Sequence, residues 1–175
     1  MPSSEEVSSV RVFARFRPTR AAHAALACEV DAELAQIRMT KSVHPRGKRF
    51  RFDGVLGSDS TQREAFDAIA RAAVAECLRG FNATILAYGQ TGSGKTHTML
   101  GAGFGEGTAA ATTEKAWDPN GSVAGLMPRV VQSLFRGLVD DDKNSREGAL
   151  IELSMLEIYN ENIRDLLGDR GAGAA

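Results

Sequence analysis

The stretch that most restricts what this chain can become is Ala83-Thr84-Ile85-Leu86-Ala87-Tyr88 followed by Gly89-Gln90-Thr91-Gly92-Ser93-Gly94-Lys95-Thr96. The first six residues predict a buried strand, and the G-x-x-x-x-G-K-T spacing after them is that of a phosphate-binding loop opening a helix. Gly89 and Gly94 admit backbone angles closed to residues with a Cβ, so successive N–H groups can turn inward around phosphate oxygens. Lys95 offers a point charge to the β- and γ-phosphates, and the Thr96 hydroxyl offers an oxygen to the accompanying Mg²⁺. A helix starting at about Gly94 would aim its positive end at the same anion. The candidate phosphate-binding residues are therefore Gly89, Gln90, Thr91, Gly92, Ser93, Gly94, Lys95 and Thr96, with Thr96 also the candidate metal ligand. The plain alternative is a glycine-rich turn that fits the spacing by chance. The apolar run before it, and a sequence after it that can form a helix, weigh against that.

The remainder of the chain has to supply a core for such a unit. Its 175 residues, 43% hydrophobic and 25% charged, have the balance of one globular domain and not of a disordered polymer. A net charge of −1 gives no global attraction to nucleic acid or anionic membrane. The basic run Arg46, Lys48, Arg49 and Arg51 reads as a solvated strand face in preference to a nucleic-acid patch, since nothing nearby extends the charge. Cys28 and Cys77 are too few for a disulfide framework and lack metal-ligand spacing. Residues 1–9 are polar and acidic, unlike a signal peptide, and no run approaches about 18 apolar residues, the length of a membrane span. A soluble, intracellular protein is the expectation.

Along the chain, residues 1–8 read as a flexible leader, and Ser9–Arg17 alternates apolar and charged residues as a strand does, up to Pro18. Short strands are expected near Leu26–Val30 and Ile37–Thr40, and another at Lys48–Asp53 with its phenylalanines on one face. Asp59–Gly80 predicts a helix: Thr61 and Glu64 have capping-box spacing, and Phe66, Ile69, Ala73, Val74, Cys77 and Leu78 share a face. After a short helix at Thr96–Leu100, Gly101–Gly125 reads as a long loop onto which Trp117 would pack. Pro128 suits the first turn of a helix to about Val139, with Val130, Val131, Leu134, Phe135 and Leu138 as its buried stripe. Ala149–Tyr159 predicts a strand covered on both faces, and Asn160 a cap for a last short helix with Ile163, Leu166 and Leu167. Residues 169–175 form a featureless tail. No repeat or second-domain boundary is visible.

Several separated stretches then agree with one another. Arg15-Phe16-Arg17-Pro18, Gly80–Met99, Gly125-Leu126-Met127-Pro128-Arg129, and Leu156–Glu161 with Asp165-Leu166-Leu167 closely resemble the kinesin motor domain, in the family's order and over about residues 9–167. Gly101–Phe104 also resembles the chromokinesin branch. The resemblance implies an α/β P-loop NTPase with a central sheet flanked by helices, using ATP and Mg²⁺ and moving along microtubules, in the cytoplasm on the cytoskeleton. It implies an adenine pocket lined by Arg15, Arg17 and Pro18, with His97 on its other side. Read singly, Arg15 and Arg17 are solvated strand residues, Pro18 a strand terminator and His97 a helix residue. His23 and His44 match no motif.

The chain also departs from the family. The N-x-x-S-S-R-S-H and D-L-A-G-S-E switches, which orient water and sense the γ-phosphate in kinesins, do not occur in it. Glu157 has the look of a Walker B acid but matches a non-catalytic strand position. The resemblance therefore implies residues 9–168 to be the N-terminal half of a motor domain, incomplete because the C-terminal half and the principal microtubule-binding elements are absent. Two functional readings follow: the ATP-binding part of a microtubule motor, or a truncated nucleotide-binding or inactive fragment without motor activity. An unrelated P-loop enzyme such as a small-molecule kinase would leave the other motifs unexplained.

Overall fold

The computed structural model describes residues 10–18, 27–40, 43–102, 123–139 and 150–168. The chain forms two compact units, Met1–Gly137 and Leu138–Ala175. In the first, β1 (Phe13–Arg15) pairs in parallel with β5 (Gly54–Leu56). The strand expected over 9–17 is shorter because its partner is short: the flanking bonds are Asp53 N–H to Val12 O and Phe16 N–H to Leu56 O, each 2.9 Å. Between β1 and β5 the chain makes an antiparallel meander of β2 (Cys28–Asp31), β3 (Gln36–Met39) and β4 (Arg49–Arg51). Strands are expected at about these three places, and only the last of them on alternation; the observed ends differ slightly.

The helix expected over Asp59–Gly80 is present as α1 (Gln62–Ala65), a π-helical turn (Phe66–Ala70) and α2 (Arg71–Leu78). Its start is fixed as the spacing predicts. The Thr61 hydroxyl accepts the Glu64 N–H at 3.1 Å, and the Glu64 carboxylate accepts the Thr61 N–H at 2.7 Å. The Thr61 N–H and the Thr61 hydroxyl, which donates to the same carboxylate at 2.9 Å, hold the Glu64 carboxyl below its ordinary value of 4.5. The stabilisation from its charge is thus present above that value and fades as pH falls through the lowered one. Replacing Thr61 by alanine is expected to cost about 1 kcal/mol, read as a lower urea midpoint with an unchanged slope. The wide turn, where the Arg71 N–H reaches back to Phe66 O, shifts the inward face. Ala65, Phe66, Ala70 and Val74 are buried, while Ile69, Ala73, Cys77 and Leu78 are half-buried.

One cluster organises this unit. Ala65, Phe66, Ala70 and Leu126 are buried together, with Leu56, Ile69, Ile85, Met99 and Val130 packed against them. Those residues come from β5, the α1–α2 helix, the segment before the glycine loop, α3 (Lys95–Met99) and α4 (Leu126–Val139). The glycine loop is therefore anchored on both sides, by Ile85 before it and Met99 after it.

The segment before the loop differs from its sequence reading. Ile85 and Ala87 are half-buried and Thr84, Leu86 and Tyr88 exposed, the two-residue alternation of a strand, yet no strand pairs with residues 83–88 among those described. Leu86 is 85% exposed and Tyr88 96%. Apolar character predicts which side chains gain from burial, and a strand further requires a neighbour to take its N–H and C=O groups. For the same reason the described strands form three small sheets, β1–β5, β2–β3–β4 and β6–β7, and not one continuous central sheet.

The loop expected over Gly101–Gly125 is tied at its base. Gly101 bridges Ala124, the Ala102 N–H donates to Val123 O at 3.1 Å, and the Gly125 N–H donates to Leu100 O at 3.1 Å. A Cβ on Gly101, where φ is +110°, would lie 2.2 Å from Val123 O, so the close crossing requires glycine there. Residues 103–122, including Phe104 and Trp117, lie outside the described residues. In α4, Pro128 sits in the first turn as expected, but the stripe is only partly realised: Val131 is 41% exposed and Phe135 51%. The helix meets the cluster mainly through its first turn, at Leu126 and Val130.

In the second unit, β6 (Leu156–Tyr159) and β7 (Asn162–Asp165) form an antiparallel hairpin. Both expectations for this region are corrected. Leu150 is 80% exposed, Leu153 67% and Ile158 66%, so the stretch to Tyr159 is not covered on both faces. Asn160 does not cap a helix. It and Glu161, at φ +47° and +67°, are the two central residues of a primed turn, a conformation asparagine tolerates well. The chain therefore turns straight into β7, which contains the Ile163 expected in a helix. Asp165 supplies the local cap instead, its Oδ1 accepting the N–H groups of Leu167 and Gly168 at 2.8 and 3.1 Å.

Candidate functional site

The glycine loop is built from backbone that few other residues could follow. Gly92 and Gly94 have φ of +80° and +102°, and Gly94 caps α3 in the left-handed region. A Cβ on Gly89 would lie 2.5 Å from Ser93 Oγ, so that side of the loop has no room for one. Lys95 folds back over the turn, its Nζ donating to Gly89 O at 2.7 Å and Gln90 O at 2.9 Å. A second cation reaches the loop from the end of β1: Arg17 donates to Gly92 O at 2.6 Å. A tight turn with glycine at positions 89, 92 and 94, flanked by an ammonium and a guanidinium, suits a polyphosphate in charge. Thr96, next in sequence, is exposed. Among the described residues no group of three His, Cys, Asp or Glu gathers to hold a metal. Thr96 offers a single hydroxyl oxygen, a donor that suits a hard cation.

The four residues expected at an adenine lie in two places. Arg15 and His97 are joined through a third residue, Gln62, whereas Arg17 is engaged with the glycine loop and Pro18 is exposed. The Arg15 guanidinium donates to Gln62 Oε1 at 2.9 Å, to Thr98 Oγ1 at 3.1 Å and to Ser60 O at 3.5 Å. Partial burial lowers its pKa from the ordinary value. Gln62 in turn donates from Nε2 to His97 O at 2.6 Å. Sequence reasoning missed Gln62, because a glutamine in the first turn of a helix carries no pattern that marks it as an inward bridge. The only available signal was its place beside Thr61, where the capping box fixes the backbone.

His97 is exposed as a whole residue, and its ring is held below its ordinary pKa of 6.5 first by partial desolvation and then by the positive charges of Arg15 and Arg17. It is therefore neutral at physiological pH. Since the folded chain resists protonating this ring and the unfolded chain does not, stability is full above about 6.5 and falls as pH drops from there toward the lowered value. Substituting His97 by asparagine is expected to flatten the pH dependence of the urea midpoint between about pH 7 and pH 5 relative to the unaltered chain. An identical pH dependence in both would contradict this placement of the ring.

Glu157 lies in β6, exposed and opposite Arg164 of β7. The basic residues Arg49 and Arg51 are exposed on β4, and the Lys48 ammonium lies 4.9 Å from the centre of the Phe50 ring. No helix among the described residues is long and apolar enough to cross a membrane.

Comparison with known proteins adds a family to this geometry. The pattern of the kinesin motor domain matches residues 10–174. "Kinesin-like protein KIF15" of Rattus norvegicus is 36% identical over 98% of this chain. The protein of the same name from Homo sapiens is 36% identical over 97% of it. "Kinesin-like protein KIP1" of Eremothecium gossypii is 42% identical over 70% of it. The chain spans about 12% of the length of the first two relatives and 10% of the third.

Proposed function

The chain belongs to the kinesin motor domain family, and on that footing we propose that it is the ATP-binding part of a microtubule-based motor. ATP hydrolysis, microtubules as partner and a cytoskeletal setting belong to this reading. So do residues 9–168 as one portion of a motor domain whose sheet is flanked by helices. The observation that carries it is the loop Gly89–Thr96, with its left-handed glycines and the Lys95 ammonium lying across two of its carbonyls. In this reading Lys95 exchanges those carbonyl oxygens for phosphate oxygens of the nucleotide. The loop N–H groups would hold the nucleotide's phosphates, Arg17 braces the turn through Gly92, and the Thr96 hydroxyl would offer an oxygen to Mg²⁺. Bound Mg²⁺ supplies charge neutralisation between the phosphates. Arg15, Arg17, Pro18 and His97 serve the adenine side.

The chain's own contribution is to bind and orient. The sequence contains neither the N-x-x-S-S-R-S-H nor the D-L-A-G-S-E element that would place water and sense the γ-phosphate. Replacing Thr96 by alanine tests the metal assignment. Titrations with ATP in Mg²⁺ and in chelator are expected to show that the variant loses most of the Mg²⁺-dependent gain in affinity and keeps the metal-free affinity. An undiminished Mg²⁺ gain would remove Thr96 from the metal's shell.

A further inference from the structure

We propose that Gln62 is a positioning residue of the nucleotide site, holding Arg15 on β1 and His97 on α3 as the two walls of the base pocket; this rests on the functional reading above. Gln62 is 4% exposed. A primary amide so deeply buried is costly unless both its ends are bonded, and here each end is bonded to a different element. Its Oε1 accepts from Arg15 at 2.9 Å, and its Nε2 donates to the His97 carbonyl at 2.6 Å, with His97 Nδ1 at 3.3 Å. The amide can sit only one way round. A guanidinium has nothing but donors and a carbonyl oxygen nothing but acceptors, so the oxygen must face Arg15 and the nitrogen His97.

Both neighbours depend on this bridge in different ways. Arg15 also donates to Thr98 Oγ1 on α3 at 3.1 Å, a second tie between β1 and that helix. His97 sits in a helix of one short turn and a half, Lys95–Met99, whose carbonyls are only partly used within the helix. Gln62 takes one of those carbonyls and ties it to an arginine 47 residues away from the glutamine in sequence. The bridge can be rigid because its own backbone is pinned, one residue after the Thr61 cap. Gln62 spans from the first strand to the helix that carries Lys95 and Thr96.

The consequence is selective: loss of Gln62 should disturb the base side and spare the phosphate side, which is built from Gly89–Lys95 and Arg17. The test compares equilibrium affinities of the whole 175-residue chain for MgATP and for inorganic tripolyphosphate with Mg²⁺, in the unaltered chain and in Gln62→Met, which keeps length and volume. MgATP affinity is expected to fall about tenfold, the equivalent of about 1.4 kcal/mol, with tripolyphosphate affinity held within about twofold. Gln62→Asn, polar but too short to reach both partners, is expected to give the same split and serves if the methionine variant does not fold. Equal losses for both ligands, or no loss for either, would overturn the positioning role. If the unaltered chain binds neither ligand, or binds both equally well after Lys95→Ala, the nucleotide site itself fails, a result distinguishable from failure of the bridge alone.

Discussion

Replacing Lys95 by alanine is expected to weaken MgATP binding about 100-fold while leaving the fold in place. The ammonium is the one charge carried by the glycine loop itself, and it already lies across two loop carbonyls, Gly89 O and Gln90 O, at 2.7 and 2.9 Å. A charge-assisted hydrogen bond is worth about 1.5–3 kcal/mol, so losing two such bonds to phosphate oxygens costs about 3 kcal/mol, or about 100-fold in Kd. Arg17 cannot take over, because its guanidinium is held at Gly92 O on the other side of the turn. The loop should survive the change: its course is set by Gly92 and Gly94 and by the core contacts of Ile85 and Met99, none of which uses Lys95. Calorimetric titration gives the affinity, and the urea midpoint, shifted by no more than about 1 kcal/mol, separates a binding defect from unfolding. Unchanged MgATP affinity would show that the loop does not hold the nucleotide.

The second large effect concerns turnover. Phosphate release by the 175-residue chain is expected to stay at background with MgATP, and microtubules are expected not to raise it. A cradle for the phosphates positions the substrate, but acceleration needs a group to orient the attacking water and further charge at the γ-phosphate. An arginine placed at the γ-phosphate contributes about 10³–10⁵ in rate in P-loop GTPases. The sequence lacks both kinesin switch motifs, and its one Walker B-like residue, Glu157, is an exposed residue of the β6–β7 hairpin. A phosphate-release assay with and without microtubules checks this. Robust stimulation that Lys95→Ala abolishes would mean that other residues of this chain perform those roles.

The parts of the structure legible in the sequence are those fixed by local chemistry. The Thr61–Glu64 cap, the stop at Gly80, the left-handed glycines of the loop and the start of α3 all depend on residues within a few positions of each other. The positions of β2, β3 and β4 were legible too, but not their antiparallel pairing, which no sequence pattern named. What escaped depends on distant partners. The run Ala83–Tyr88 has the alternation of a strand, but pairing is decided elsewhere in space, and Leu86 and Tyr88 stand exposed. Asn160 suits a helix cap and a primed turn equally well by residue type, and only the register of Tyr159 with Asn162 separates the two. The wide turn at Phe66–Ala70 leaves no trace in an apolar pattern read with a fixed period.

The site divides along the same line. The proposed phosphate side, Gly89–Thr96, is contiguous and carries its own spacing. The proposed base side draws on β1, the first turn of α1 and α3, and the bridge through Gln62 is invisible until those elements are brought together. Arg15 and Arg17, two residues apart on a strand-like run, part company in space: one enters the Gln62 bridge and the other braces the glycine loop.

Gly89–Thr96 is proposed to be a working nucleotide grip of kinesin type. The most direct measurement is calorimetric titration of MgATP into the purified chain beside the Lys95→Ala, Thr96→Ala double variant. The expected result is saturable one-to-one binding by the unaltered chain, lost from the double variant at the same concentrations, with both chains folded by circular dichroism. Equal affinity in the two folded chains, or no binding by either, would contradict it.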